Sequence, residues 1–246
     1  MQNTSGVGNP SENIPAWGAY DVVVGIALYA VSFGVLAIAT RLAREVGFAP
    51  AVESRLVMTG LLLLGVEGFM LAPVWLIAVV KRRGNWQAVG FRRFKAGLGC
   101  VLPILYLCGA FIFSAVWGLV IRTMHWPTQE EATTLFGTEP MGIVIGFVGV
   151  SIIAPIAEEA FFRGFIMGGL RRRFGVIGAL LLSAALFTAP HLPITIYPAV
   201  FGLGVLLGLL FLQTGSLWPG ILMHGFFNTV SYFAQVYCTL NNCPRP

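Results

Sequence analysis

Long apolar stretches alternate along the chain with short polar or basic connectors. A helix needs about 20 apolar residues to cross the hydrocarbon core of a bilayer. By that length the sequence predicts seven membrane spans, near residues 20–40, 56–80, 97–121, 141–170, 176–190, 194–213 and 217–237. We therefore expect an all-α fold, a polytopic membrane bundle of about seven transmembrane helices.

The composition supports the same class of protein. Hydrophobic residues make up 57% of the 246 positions and charged residues 10%, against roughly a quarter charged in ordinary soluble domains. The mean hydropathy is +0.83. A soluble protein this apolar could not cover its surface with polar groups, whereas a bilayer solvates apolar surface directly. The sequence therefore predicts an integral, multi-pass membrane protein, in the plasma membrane if the source is a prokaryote.

The chain divides by composition into a tail and two groups of helices. Residues 1–16 are rich in Gly, Asn, Ser and Pro and predict a flexible tail. We expect N-terminal transmembrane helices over 17–125 and a second transmembrane region, which carries several ionisable side chains, over 140–237. No Lys or Arg precedes the first apolar run, so we expect an uncleaved anchor rather than a cleavable signal peptide. Residues 86–95 mix aromatic and basic side chains and predict an amphipathic connector in the membrane interface.

The basic residues predict the orientation of the chain. Nine Lys and Arg fall in the connectors 81–95 and 171–173, and five fall on the opposite side of the predicted bundle. Cytoplasmic loops carry the excess of Lys and Arg, so we expect a cytoplasmic N-terminus. These clusters are read as topology signals rather than as a nucleic-acid surface, because aromatic-interleaved basic surface is missing elsewhere.

A first group of ionisable residues lies deep in the fourth predicted span, at Glu158, Glu159 and Arg163. Such side chains are costly at membrane depth and mark a protein-lined or watery cavity. Glu159 and Arg163 are spaced i, i+4 with the acid first, which favours an ion pair. Glu158 is then the less neutralised acid and the better proton acceptor. Pro155 removes a backbone donor just before this group and predicts a distorted helix.

Two further groups follow on later spans. Pro190 and Pro193 flank His191 and predict a break in the helix, which is tolerated at membrane depth only inside protein or beside a cavity. His224 and Asn228 are spaced i, i+4 on the last span, so they face the same way and could donate to one small target.

Packing is the competing explanation for each polar residue taken alone. A lone His in a membrane helix usually makes an interhelical hydrogen bond, and Glu67 in the second span is interpreted in that way or as a snorkelling side chain. What favours a functional site is the whole set, six polar residues on three spans within about 70 residues.

These groups resemble the motifs of the CPBP family of intramembrane proteases, which includes CAAX prenyl endopeptidases and bacteriocin-processing or immunity proteins. The sequence EEAFFR over 158–163 is similar to EExxxR, FTAPH over 187–191 to FxxxH, and HGFFN over 224–228 to a His followed four residues later by Asn. The resemblance covers roughly residues 140–236. Pro190 and Gln213 depart mildly from the family pattern.

The resemblance implies peptide hydrolysis inside the membrane. It implies that Glu158, with His191, activates a water, and that His224 and Asn228 stabilise the oxyanion. Glu159 is grouped with these catalytic candidates, and Arg163 is expected to hold Glu159 and the helix in place. A metal is left open: the zinc-protease sequence HExxH is missing, but Glu158, His191 and His224 could form a two-His, one-carboxylate site for a divalent ion such as zinc.

We therefore expect an intramembrane endopeptidase that acts on a peptide or a lipidated protein, for example in CAAX-type processing. We expect membrane lipid as its other partner and no binding to nucleic acid. A non-catalytic immunity or scaffold protein of the same fold is the alternative. A transporter with a proton relay is a third reading, disfavoured because no internal repeat stands out.

Overall fold

The computed structural model describes residues 15–45, 52–128 and 132–243. Nearly all of the predicted tail over 1–16 lies outside these ranges. Every regular element in the described residues is helical. The α-helices are α1 (Ala19–Glu45), α2 (Val52–Pro73), α3 (Trp86–Val89), α4 (Ala96–Thr123), α5 (Ala132–Phe136), α6 (Pro140–Val148), α7 (Ala154–Glu158), α8 (Gly168–Thr188), α9 (Tyr197–Thr214) and α10 (Trp218–Leu240).

The described residues contain five helical stretches long and apolar enough to cross a membrane. They are Ala19–Ala43, Met58–Lys81, Ala96–Thr123, Pro140–Thr188 and Ile194–Thr214. This confirms the all-α membrane bundle, but it does not confirm the count of seven. Two predicted spans lie together in Pro140–Thr188, interrupted where Gly175 leaves the helical conformation at φ 67°. The last predicted span forms α10, which is less apolar because it carries His224, Asn228 and Gln235.

Wide, π-helical turns surround the first polar group. Val148 leads into a π-helical segment at Gly149–Ile153, and a second such segment runs from Glu159 to Met167, directly after α7. Pro155 lies between them and cannot donate a backbone hydrogen bond. Segments of this kind are rare and often occur at functional sites. All nine residues of the second segment are buried, so its charged side chains face protein rather than lipid.

The first helix packs antiparallel to this segment and closes one side of it. The Trp17 indole donates to the Phe165 carbonyl at 2.8 Å, and the rings of Tyr29 and Phe161 lie 5.4 Å apart. At the start of α1, the buried Asp21 carboxylate binds Lys81 at 3.0 Å and Arg82 at 2.6 Å. The beginning of α1 and the end of the second span therefore lie at the same end of the bundle.

On the other side of the second π-helical segment, α8 and α9 approach each other closely. A Cβ placed on Gly204 would lie 3.2 Å from the Ala184 Cβ and 3.2 Å from the Phe187 ring. Small residues of this kind let the backbones of membrane helices come together. As predicted, the helix breaks near the two prolines: α8 ends at Thr188 and a short 3₁₀ turn, Ile194–Ile196, leads into α9.

The basic connector after the second span fixes the start of α10. The Leu217 amide donates to the Gly90 carbonyl at 2.9 Å, and the Ser216 hydroxyl donates to the Arg92 carbonyl at 2.6 Å. Arg92 in turn donates to the Gly215 carbonyl. Val89 is fully buried, so this side of the predicted interfacial connector packs on protein.

Candidate active site

The ion pair expected from the i, i+4 spacing is present and buried. Arg163 Nη1 lies 2.9 Å from Glu159 Oε1, and each side chain is 1% exposed. Arg163 also donates from Nη2 to the Gly204 carbonyl at 3.1 Å, and its guanidinium lies 4.4 Å from the centre of the Phe187 ring. The cation therefore ties the π-helical segment to α8 and α9.

His224 brings α10 to both carboxylates. Its Nδ1 lies 3.2 Å from Glu159 Oε1, and its Nε2 lies 3.6 Å from Glu158 Oε2. Because a carboxylate only accepts, the short contact places a proton on Nδ1. The longer contact exceeds an ordinary hydrogen bond, so it is a looser electrostatic approach. The first and third sequence motifs thus meet at one imidazole ring.

The two adjacent glutamates have different surroundings. Glu159 is fully buried and is held by Arg163, whereas the Glu158 side chain is 17% exposed and makes only the looser approach to His224 Nε2. Adjacent residues of a helix point about 100° apart, which explains why one carboxylate faces the guanidinium and the other faces away. Glu158 is consequently the carboxylate that a water molecule can reach.

His191 joins the site through Phe187. Its Nδ1 lies 2.9 Å from the Phe187 carbonyl, and since a carbonyl only accepts, this nitrogen carries the proton and Nε2 is left with its lone pair. The Phe187 ring lies 5.2 Å from the His191 ring and 5.7 Å from the His224 ring. One aromatic side chain therefore contacts both histidines and the Arg163 cation.

Asn228 lies one turn beyond His224, but its amide already has a partner. Nδ2 donates to the Val150 carbonyl at 2.9 Å, in the first π-helical segment. Nδ2 carries two hydrogens, so one donor remains after this bond. Asn228 and His224 thus both hold α10 against the π-helical region, through Val150 and Glu159.

The residues proposed as metal ligands do not form a metal-binding group. Among the residues that the structure describes, no cluster of three His, Cys, Asp or Glu side chains is arranged to hold an ion. Both ring nitrogens of His224 face carboxylates, and one nitrogen of His191 faces a carbonyl. Because the described residues do not gather three such ligands, no step below is assigned to a metal.

The structure shows two features of this region that the sequence did not predict. The Phe of the second motif was not expected to connect both histidines, although its spacing from His191 places it one turn away. Glu67, interpreted as an interhelical hydrogen-bonding or snorkelling residue, is 6% exposed, and its Oε2 has no hydrogen-bond partner among the described residues. The signal for Glu67 was present, since an ionisable residue at membrane depth indicates a function by default.

Comparison with known proteins addresses the region that carries the three motifs. Residues 140–230 match the family model described as type II CAAX prenyl endopeptidase Rce1-like. This match confirms the predicted CPBP resemblance. The comparisons with curated proteins and with solved structures gave no match.

The match to this family model supports a function of the same general kind, that of a CAAX-type protease in the membrane. The matched residues include all six candidate site residues, Glu158, Glu159, Arg163, His191, His224 and Asn228. The match ends before the last turns of α10 and begins after α1 to α5, so these N-terminal helices lie outside the matched region.

Proposed function

We propose that this protein is an intramembrane endopeptidase that hydrolyses a peptide bond next to a prenylated cysteine, using a water activated by Glu158. The observation that carries the proposal is the asymmetry of the two glutamates. Arg163 neutralises Glu159, whereas Glu158 is partly exposed and contacts only the imidazole of His224 among the basic groups described. One carboxylate is structural and the other is available for proton transfer.

Glu158 is the general base. Its carboxylate takes a proton from water while the water oxygen attacks the carbonyl carbon of the scissile bond. The Nε2 lone pair of His191 accepts a second hydrogen bond from the same water and orients it. When the tetrahedral intermediate collapses, the carbon–nitrogen bond breaks and the Glu158 carboxyl returns its proton to the leaving amine. The products are a new carboxylic acid on the cysteine side, which keeps the second hydrogen of the water until it ionises, and a free amine on the other.

His224 and Asn228 stabilise the oxyanion. The His224 ring presents Nε2 on the Glu158 side, and an N–H at that atom donates to the oxyanion. The second amide hydrogen of Asn228 is the other donor. Donors fixed in a site with little water stabilise developing negative charge more strongly than they do in water.

The test is cleavage by the purified full-length protein in liposomes. A farnesylated or geranylgeranylated peptide with a C-terminal CAAX sequence serves as substrate, and mass spectrometry detects the residues released after the cysteine. We expect release from the prenylated peptide and at least tenfold slower release from the same peptide without its lipid. Absence of cleavage from both peptides would contradict the proposal and favour the non-catalytic alternative.

A further inference from the structure

A groove opens between α1 and α8 on the surface of the bundle, apart from the candidate active site. Its volume is about 460 Å³, within the roughly 300–1,000 Å³ of clefts that bind small ligands. Its walls include Tyr20, Val23 and Ile26 from α1 and Arg173, Phe174 and Leu182 from α8. Arg173 is the only charged side chain among the described residues that line it. The groove therefore combines an apolar interior with one cation.

The kink in α8 forms two walls of this groove. Gly175 leaves the helical conformation at φ 67°. Leu170 lines the groove from before the kink, and Leu182 lines it from after the kink. The third wall is α1, which packs closely on the start of α8, since a Cβ on Gly169 would lie 2.6 Å from Val22 Cγ2. The course of the backbone thus sets the shape of the groove.

The apolar walls of the groove are exposed on the surface that faces the bilayer. Val23 is 64% exposed, Phe174 is 46% exposed and Leu182 is 39% exposed. A hydrocarbon chain in the groove would contact side chains of both helices at once, and such contacts are individually weak but add up. The interior of the groove therefore suits a flexible hydrocarbon chain.

Helix α8 separates the groove from the candidate active site. Leu186 lines the groove, whereas the next residue, Phe187, lies against the rings of both site histidines. Adjacent residues of a helix point about 100° apart, so these two side chains belong to different surfaces of α8. A ligand of the groove would accordingly occupy a site of its own.

Two cations lie beside the groove, one on each wall. The Arg173 guanidinium lies 5.8 Å from the centre of the Phe174 ring on α8. The Lys81 ammonium lies 5.8 Å from the centre of the Tyr20 ring on α1. Lys81 stays 50% exposed despite its contact with Asp21, and Arg173 forms no salt bridge with any residue that the structure describes. An anion at this end of the groove would lie between two positive charges.

We propose that the groove binds one anionic glycerophospholipid, with an acyl chain between α1 and α8 and the phosphate against Arg173 and Lys81. Basic pockets between transmembrane helices are known to bind anionic lipid headgroups. A prenyl chain would fill the apolar walls but would bring no anion to the two cations. The inference does not depend on the proposed reaction, and it gives α1, outside the matched residues 140–230, a role in binding lipid.

The experiment titrates the purified full-length protein in detergent with phosphatidylglycerol or with phosphatidylcholine of the same chain length. Native mass spectrometry counts the bound lipids. Arg173→Gln removes the cation, and Arg122→Gln, at the far end of α4, is its control. Leu182→Trp fills the groove, and Ile104→Trp, at an exposed position of α4, is its control.

We expect the wild type to bind the first phosphatidylglycerol at least tenfold more tightly than phosphatidylcholine. Arg173→Gln should weaken the binding of phosphatidylglycerol about fivefold, the effect of one cation near an anionic headgroup, and leave phosphatidylcholine unchanged. Leu182→Trp should weaken the binding of both lipids, and both control variants should bind as the wild type does. Thermal unfolding confirms that each variant is folded. Val23→Trp fills the groove from the opposite wall should Leu182→Trp unfold.

Equal affinity of the wild type for the two lipids would overturn the proposal. Unchanged binding of phosphatidylglycerol in Arg173→Gln or in the folded groove-filling variant would overturn it too, since the lipid would then be held by general attraction to the basic surface. Displacement of the lipid by a geranylgeranylated CAAX peptide would assign the groove to the substrate instead. Turnover is not part of this readout, so failure of the lipid site and failure of the proposed function are distinguishable.

Discussion

At the scale of single residues, burial decides which acid can react. Glu159 and Arg163 are each 1% exposed and 2.9 Å apart, while the Glu158 side chain is 17% exposed. A buried ion pair adds little net stability when intact, but removing one partner leaves an uncompensated buried charge. Arg163 also donates to the Gly204 carbonyl, so its loss affects the contact between helices as well.

Replacing the cation alone should therefore destabilise the fold more than replacing both partners. We expect Arg163→Met to lower the free energy of unfolding by about 3 kcal/mol or more, because Glu159 would stay buried and charged. The double variant Glu159→Met with Arg163→Met should recover most of that loss. Denaturation in mixed micelles measures both. An Arg163→Met variant as stable as the wild type would contradict the structural role of the pair.

The sequence predicted this pair because the i, i+4 spacing in one helix fixes which side chains meet. It also predicted the helix break near His191 from the flanking prolines. The sequence did not predict that Phe187 contacts both histidines, or that Asn228 donates to the Val150 carbonyl. These contacts join different helices. Their geometry depends on how each helix is rotated, and a helix that is apolar all round gives no periodicity from which to read that rotation.

At the scale of helices, glycines set how closely α10 approaches the site. A Cβ on Gly220 would lie 3.2 Å from Glu159 Oε2, one turn before His224. That oxygen has no hydrogen-bond partner among the described residues, so no hydrogen bond would resist its displacement by an added side chain. The position of the Glu159 carboxylate, and through it of the His224 ring, depends on the absence of a side chain here.

Gly220→Ala should accordingly impair catalysis more than stability. The added methyl displaces Glu159 or α10 by a few tenths of an ångström, and we expect turnover to fall about tenfold, equivalent to roughly 1.4 kcal/mol in the barrier. Gly109→Ala in α4 is the control, since nothing lies within 4 Å of its Cβ position. It should keep full turnover and gain stability from the better helix propensity of Ala. Equal turnover in the two variants would argue against this packing.

The boundaries between helices were the least predictable part of the fold. The sequence divided residues 141–190 into two spans at the arginine cluster, whereas helix continues through Arg171, Arg172 and Arg173 and is interrupted only at Gly175. Charges at a membrane surface do not end a helix, because they are solvated there. Gly175 interrupts it because it adopts φ 67°, a conformation that residues with a Cβ rarely take.

At the scale of the whole molecule, the basic clusters lie at one end of the bundle. Asp21 at the start of α1 binds Lys81 and Arg82, and Trp17 lies against Gly169, next to the arginines at 171–173. Arg122 and Glu139 belong to the opposite end of their helices. We propose that the N-terminal end is cytoplasmic, as the excess of bases there favours.

Single cysteines in an otherwise cysteine-free protein test this orientation. We expect Arg83→Cys to be protected from an impermeant maleimide in intact cells and Met124→Cys, which is 57% exposed in the wild type, to be labelled. Permeabilised cells should label both. The reverse pattern in intact cells would place the N-terminus outside.

The central claim is that Glu158 performs proton transfer in a site built from three helices. The most direct test is turnover of a prenylated CAAX peptide by Glu158→Gln in liposomes, with Glu139→Gln, an exposed Glu outside the bundle interior, as the matched control. General acid–base groups contribute roughly 10²–10⁴-fold, so we predict a loss of that size for Glu158→Gln, an unchanged unfolding temperature, and full turnover in Glu139→Gln. Turnover of Glu158→Gln within a few-fold of the wild type would contradict the assignment.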